Sequence, residues 1–166
     1  MTGYINYLDH HDPRIRALSD IWLKLKGDAA FPTFNAAALA AFAHVHDRLS
    51  VVEIREEPGR KRPRYFFVAD GPEIAKELGF DLTGRYLDEI AEMPEFQTML
   101  ESDYDTVRTS RAPRAYAEEH HLDNLLRRIV GVQFPFGADG ETVDHILEVT
   151  YRLDYSAPAG AETPKT

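Results

Sequence analysis

Histidine has the widest chemical reach of the residues in this sequence, and most of the seven come in pairs: His10 with His11, His44 with His46, and His120 with His121. On a helix His44 and His46 point to nearly opposite sides, because only residues three or four apart share a face. No metal site is read from them. On a strand Glu118 would share one face with His120, and Glu119 the other with His121. Either couple has the composition of an acid–base pair or part of a metal site, but beside Asp123 at a strand end the pattern reads as a solvated turn. His145 differs because it falls within an apolar strand face. It is read as a core or rim histidine with one satisfied hydrogen bond, and a ligand-contacting or haem-ligating role is the alternative.

The segment Gly79-Phe80-Asp81-Leu82-Thr83-Gly84-Arg85-Tyr86 has the glycine spacing of a phosphate loop but lacks the lysine and the magnesium-holding hydroxyl, and it follows a helical pattern. It reads as a helix stop and a tight turn. Arg60, Lys61, Arg62 and Arg64 form a basic patch beside Glu56 and Glu57, which reads as a solvated hairpin tip, with docking to an acidic partner as the alternative. There is no Gly-x-Ser-x-Gly, His-Glu-x-x-His or Gly-x-Gly-x-x-Gly. The absence of cysteine removes disulfides, thiolate nucleophiles, iron–sulfur clusters and the thiol with which photoactive flavin domains trap their chromophore.

The elements that must position these residues follow from pattern. At 166 residues, 43% hydrophobic and 28% charged, the chain has the size and composition of one folded domain. A net charge of 19 − 28 = −9 repels phosphate backbones and anionic lipid, so neither nucleic acid nor membrane is expected as a partner. No secretory signal opens the sequence, and the longest apolar run, Ala36 to Ala43, falls far short of the roughly 20 residues that span a bilayer. The expected location is cytoplasmic.

Asp12-Pro13 predicts a helix start and Gly27 its end, with Ile15, Leu18, Ile21, Trp22 and Leu25 forming an apolar stripe. A short helix from Ala36 to about His46 follows, then a hairpin of Leu49–Ile54 with Tyr65–Ala69 across Glu57-Pro58-Gly59. Short helices are predicted over Pro72–Leu78 and Arg85–Ala91, and a longer one from Pro94 to Arg108 or beyond. The period then changes to two, giving strands over Arg114–Glu119, Leu125–Phe136 and Thr142–Tyr155, the last two joined through Asp139-Gly140. Residues 156–166 read as a disordered tail. The clustering of strands on either side of clustered helices predicts an α+β domain with an antiparallel sheet, over 12–155, after an N-terminal extension of 1–11.

The stretch Leu78 to Ile90, with its Gly-x-x-Leu-Thr-Gly-Arg segment, resembles a family of bacterial stand-alone PAS-domain proteins. Ile21 to Gly27 followed by Phe31-Pro32 looks like that family's opening helix and proline link. Phe134-Pro135-Phe136, Asp139-Gly140 and Val143-Asp144-His145-Ile146-Leu147 are similar to its final hairpin, so the resemblance covers Ile15 to Tyr155. It implies a five-stranded antiparallel sheet flanked by short helices on one face, with an extra N-terminal amphipathic helix that often mediates dimer contacts. It also implies a sensor that binds a small molecule, haem, flavin or nothing, so it names no cofactor. The family often carries a basic residue just before the glycine matched by Gly71, where this chain has Asp70. An axial histidine would come from a helix, and Pro94 to Ser110 has none.

The expected function is a non-enzymatic sensor that binds a small molecule or partner protein and acts on a separate signalling effector. It is expected to form a homodimer through Ile15, Leu18, Trp22 and Leu25. Setting alternate strand positions opposite the apolar side of the helices gives the ligand-pocket candidates Phe67, Tyr86, Met99, Tyr104, Tyr116, Arg128, Val130, Val132, His145 and Leu147, with Arg128 and His145 facing any polar or anionic group. No catalytic or metal-ligating residue is assigned. Two alternatives stand beside this reading. A small α+β enzyme would need a histidine bonded to a carboxylate inside one deep pocket, and a ligand-free interaction module would need a filled interior and an exposed apolar patch.

Overall fold

The computed structural model describes residues 4–154. Tyr155 and the predicted tail lie outside the described residues. Helix α1 (Pro13–Lys26) begins where Asp12 accepts a hydrogen bond from the Arg14 amide, and Gly27, at φ +54°, ends it. Helix α2 (Ala36–Ala41) is capped by Asn35, and a 3-10 segment over Ala43–Arg48 leads into the sheet. The first hairpin is β2 (Leu49–Arg55) with β3 (Arg64–Ala69). Helices α3 (Pro72–Leu78) and α4 (Pro94–Ser110) both carry proline in the first turn, where its missing N–H costs nothing. Strands β4 (Arg114–Leu122), β5 (Leu125–Phe136) and β6 (His145–Arg152) complete the chain.

These strands form one antiparallel sheet, ordered β4-β5-β6-β2-β3, to which a two-residue strand β1 (Tyr4–Ile5) adds at the β4 edge. The α+β class and the five-stranded antiparallel sheet expected above are therefore observed, with one strand more. The segment before α1 is built into the domain. His10 is fully buried, its Nδ1 accepts the Asp12 amide, and the remaining ring N–H donates to the Tyr116 carbonyl at 2.9 Å.

Helices cover both faces of the sheet, not one. On the first face the α1 stripe meets β5: the rings of Trp22 and Phe134 stack with centroids 6.0 Å apart, and Trp22 Nε1 donates to the Pro135 carbonyl at 3.0 Å. Phe31 and Phe42 fill the same layer, with Phe42 5.7 Å from Phe134. On the second face α4 lies over β4 and β5 and reaches β3, where Tyr104 packs on Tyr65 and Phe67. Ile15, Leu18 and Trp22 are at most 2% exposed. The stripe read as a dimer face is thus spent inside the chain, because a second sheet face also needed cover.

Candidate functional site

A cavity of about 70 Å³ lies between the second sheet face and helices α3 and α4. At roughly 10–15 Å³ for each water held, this is room for about five waters, well short of the roughly 300–1,000 Å³ of a drug-sized pocket. Its helix side is mostly apolar: Ile74 and Leu78 come from α3, Leu82 from the following turn, and Phe96, Met99, Leu100 and Tyr104 from α4, with the carboxylates of Glu77 and Asp103 among them. Its sheet side is polar, with Tyr116, Glu118 and His120 from β4, Arg127 and Ile129 from β5, and Glu148, Thr150 and Arg152 from β6. The antiparallel register sets these residues on one face, pairing Tyr116 with Gly131, Glu118 with Ile129, His120 with Arg127 and Gln133 with Glu148.

One end of this polar face is densely bonded, with the Gln133 side-chain oxygen the exception. Glu148 accepts hydrogen bonds from Tyr104 Oη at 2.7 Å, Tyr116 Oη at 2.7 Å and Gln133 Nε2 at 3.0 Å. Burial holds both phenols protonated, well above their ordinary range, so they remain donors. Tyr116 reaches Glu148 because Gly131 lies beneath its ring; a Cβ there would stand 2.4 Å from the phenol oxygen. Arg114 donates to Glu118 at 2.7 Å and lies 3.3 Å from Asp103. Burial nevertheless pushes the Asp103 carboxyl up to about 7, Arg114 pulling it down and Glu148 adding to the rise. Asp70, held by Ser50 Oγ at 2.8 Å, is likewise raised by burial, to about 6.

The other end is not bonded. Neither ring nitrogen of His120 has a partner on another residue, and both are buried. Burial lowers the pKa of His120 and favours the neutral ring. Arg127 is 6% exposed, its Nε has no partner, and its nearest hydrogen-bond acceptor among the described residues is the Met93 sulfur, 3.7 Å from Nη2. Burial, and then the nearby Arg152, lower its affinity for a proton, against the opposing pull of Asp123, Glu77 and Asp154. No group of three or more metal-ligating side chains occurs among the described residues.

Of the pocket candidates, Phe67, Met99, Tyr104 and Tyr116 line the cavity. The other candidates lie elsewhere. Tyr86 sits on the outer side of β3, its hydroxyl bonded by Arg55 at 3.0 Å and its ring under Arg64. Arg128 is exposed and paired with Glu119 at 2.6 Å. Val130, Val132, Leu147 and His145 fall on the α1 face, where His145 stacks on Phe34 at 4.0 Å and bonds Asp144 at 2.7 Å. The alternation of β5 and β6 was read correctly, but the faces were exchanged. Apolar positions were set against the cavity, whereas α1 and the phenylalanines around it claim them, leaving the polar positions to line the pocket. Arg127 and Glu148 escape the sequence reading for that reason, and Glu118 and His120 because their stretch reads as a solvated turn. The signal is present in the sequence, because strands whose polar face carries Arg127 and Gln133 on β5 and Glu148 on β6 between apolar neighbours are not solvated strands when helices remain to be packed.

The other motifs find bland places. Gly79 and Gly84 have φ of +89° and +78°, Gly79 ends α3, and Thr83 Oγ accepts the Asp70 amide, so the loop is a stop and a turn. Arg60 and Arg64 pair with Asp88, and Arg62 pairs with Asp105, so the basic patch is largely neutralised from within. His44 and His46 are exposed.

No family model matches the chain, and no curated protein matches it. Among solved structures it is similar to the LOV protein of Rhodobacter sphaeroides, at 15% identity and a TM-score of 0.45, over 74% of this chain and 70% of that one. A variant of that protein, RsLOV d2, gives 13% identity and a TM-score of 0.46, over 75% and 72%. The PAS domain of BvgS from Bordetella pertussis gives 14% identity and a TM-score of 0.38, over 63% of this chain and 75% of that one. The fold assignment rests on the strand order and register described above. Among the described residues no helix is long and apolar enough to cross a membrane.

Proposed function

We propose that this chain is a PAS-like sensor domain of the cytoplasm whose cavity between sheet and helices takes a small polar molecule and reports it to a separate signalling protein. The observation that carries this reading is the pairing of a cavity with buried nitrogens that have no partner on another residue, both ring nitrogens of His120 and Nε of Arg127. Buried polar atoms are nearly always satisfied, and a ligand would satisfy these. It would act by binding one conformation or assembly better than another. Where two copies associate, the contact uses a surface other than the buried α1 stripe. The enzyme alternative required a histidine bonded to a carboxylate within one pocket. His120 makes no such bond, and His145, which does, faces away from the cavity.

Native mass spectrometry of freshly purified protein, beside the same sample denatured and with an absorbance scan, tests the proposal. A small mass lost on denaturation is the expected result. A bare chain whose unfolding midpoint no fraction of a small-metabolite extract raises would overturn it.

A further inference from the structure

Arg127 is a buried guanidinium with no carboxylate in ion-pair distance among the described residues, on a chain that carries nine more acidic than basic side chains. A buried charge is ordinarily paired. Its cross-strand neighbour is His120, whose two ring nitrogens are also buried and without a partner on another residue. Around this basic couple lie apolar groups, Phe96 under the guanidinium at 5.5 Å, Met99 one helical turn further along α4 and Ile129 two residues along β5, with the Glu77 carboxylate of α3 also on the cavity wall but outside ion-pair distance of Arg127. Four carboxylates also line the cavity, Glu77, Asp103, Glu118 and Glu148, and Glu118 lies two residues from His120 on the same strand face.

We propose that the cavity binds a short organic carboxylate, its carboxylate held between the Arg127 guanidinium and the His120 ring and its apolar part lying against Phe96, Met99 and Ile129. This deepens the sensor reading above and rests on it. A carboxylate matches the planar fork of arginine and supplies the charge that Arg127 lacks. The four acidic side chains that also line the cavity disfavour a dianion or a second carboxylate, so one negative charge fits better than two. The free space of about 70 Å³ suits a small molecule, and the apolar walls favour an alkyl chain over a phosphate.

The test is a charge series at constant shape, using butyrate, butyramide, butylammonium and inorganic phosphate on the full chain. It is read by NMR at the Arg127 Nε–H and the His120 ring. Butyrate is expected to shift both signals saturably, with butyramide about tenfold to a hundredfold weaker, the range a charge-assisted hydrogen bond supplies. Arg127→Met should abolish the butyrate response and leave the chain folded, because it removes a buried charge that has no carboxylate partner. Butyramide or butylammonium binding as well as butyrate, phosphate binding where butyrate does not, or no saturable response to butyrate would overturn the assignment. So would butyrate binding that survives in Arg127→Met. These outcomes leave the sensor reading to the native mass measurement, which detects a ligand of any charge.

Discussion

Tyr116 Oη lies 2.7 Å from Glu148 Oε1, and the two side chains meet across β5 only because residue 131 between them has no side chain. A methyl group at that position would stand 2.4 Å from the phenol oxygen and 2.7 Å from the Val149 carbonyl, a backbone atom that cannot swing away. Gly131→Ala is therefore expected to destabilise the fold by about 1–3 kcal/mol through overpacking. Equilibrium urea unfolding measures it. A loss below the lower figure would mean that the Tyr116 ring does not rest on this glycine.

Glu148 takes three hydrogen bonds from Tyr104, Tyr116 and Gln133. Glu148→Gln replaces a charged acceptor by an amide whose NH₂ must face a donor, at a cost of about 1.5–3 kcal/mol. Tyr104→Phe in the same background should then cost less than it does in the wild type, because the bond it removes is already weakened. A double-mutant cycle reads that difference.

Stability should fall as pH rises through the weakly acidic range. Burial raises Asp103 to about 7 and Asp70 to about 6, whereas an unfolded aspartate titrates near about 3.9. The unfolded chain thus gives up these protons first, and the folded state binds more protons than the unfolded one between those values. The contribution is complete below about pH 3.9 and is lost as pH climbs through 6 and 7, on the order of a few kcal/mol in all. Asp103→Asn should flatten the upper part of that fall, leaving Arg114 paired with Glu118 at 2.7 Å. Urea midpoints at acid and neutral pH would show the variant gaining on the wild type as pH rises; the reverse trend would refute the burial argument.

Trp22 is 2% exposed, stacks on Phe134 and donates to the Pro135 carbonyl. Trp22→Ala should cost about 3–5 kcal/mol, with an unfolding midpoint independent of protein concentration, since the contact is made within one chain. Sedimentation at several concentrations separates the two uses of this helix. If the variant changed oligomeric state without losing stability, the stripe would be an interface after all.

Element boundaries were legible where a residue's chemistry marks an end. Asp12-Pro13 and Gly27 bracket α1 almost to the residue, and the alternation from Leu125 to Phe136 gave β5 whole. The cavity was only half legible. Phe67, Met99, Tyr104 and Tyr116 follow from large side chains on elements that must face one another, but the parity of β5 and β6 does not follow from hydrophobicity when both faces of the sheet are covered. A one-residue change of face exchanges the whole set. The extra strand β1 escaped because two residues carry no period, and the continuation of β4 to Leu122 was hidden by reading Glu118-Glu119-His120-His121 as a turn. The two-residue Asp123-Asn124 loop between Leu122 and Leu125 was the available sign, since both residues tolerate the positive φ that such hairpins need.

That loop reaches beyond its own hairpin. The Asp123 carboxylate accepts the amides of Glu95 and Phe96 at 3.2 and 2.9 Å, and Glu95 accepts the Asp123 amide at 2.6 Å. Helix α4 has no capping side chain of its own, so its first turn is finished by a residue from another element. Phe96 belongs at once to this latch and to the cavity wall. The beginning of α4 and the tip of the β4–β5 hairpin are consequently geared together, and any outward swing of Phe96 must turn the hairpin tip that bears the exposed Leu125 and Leu126.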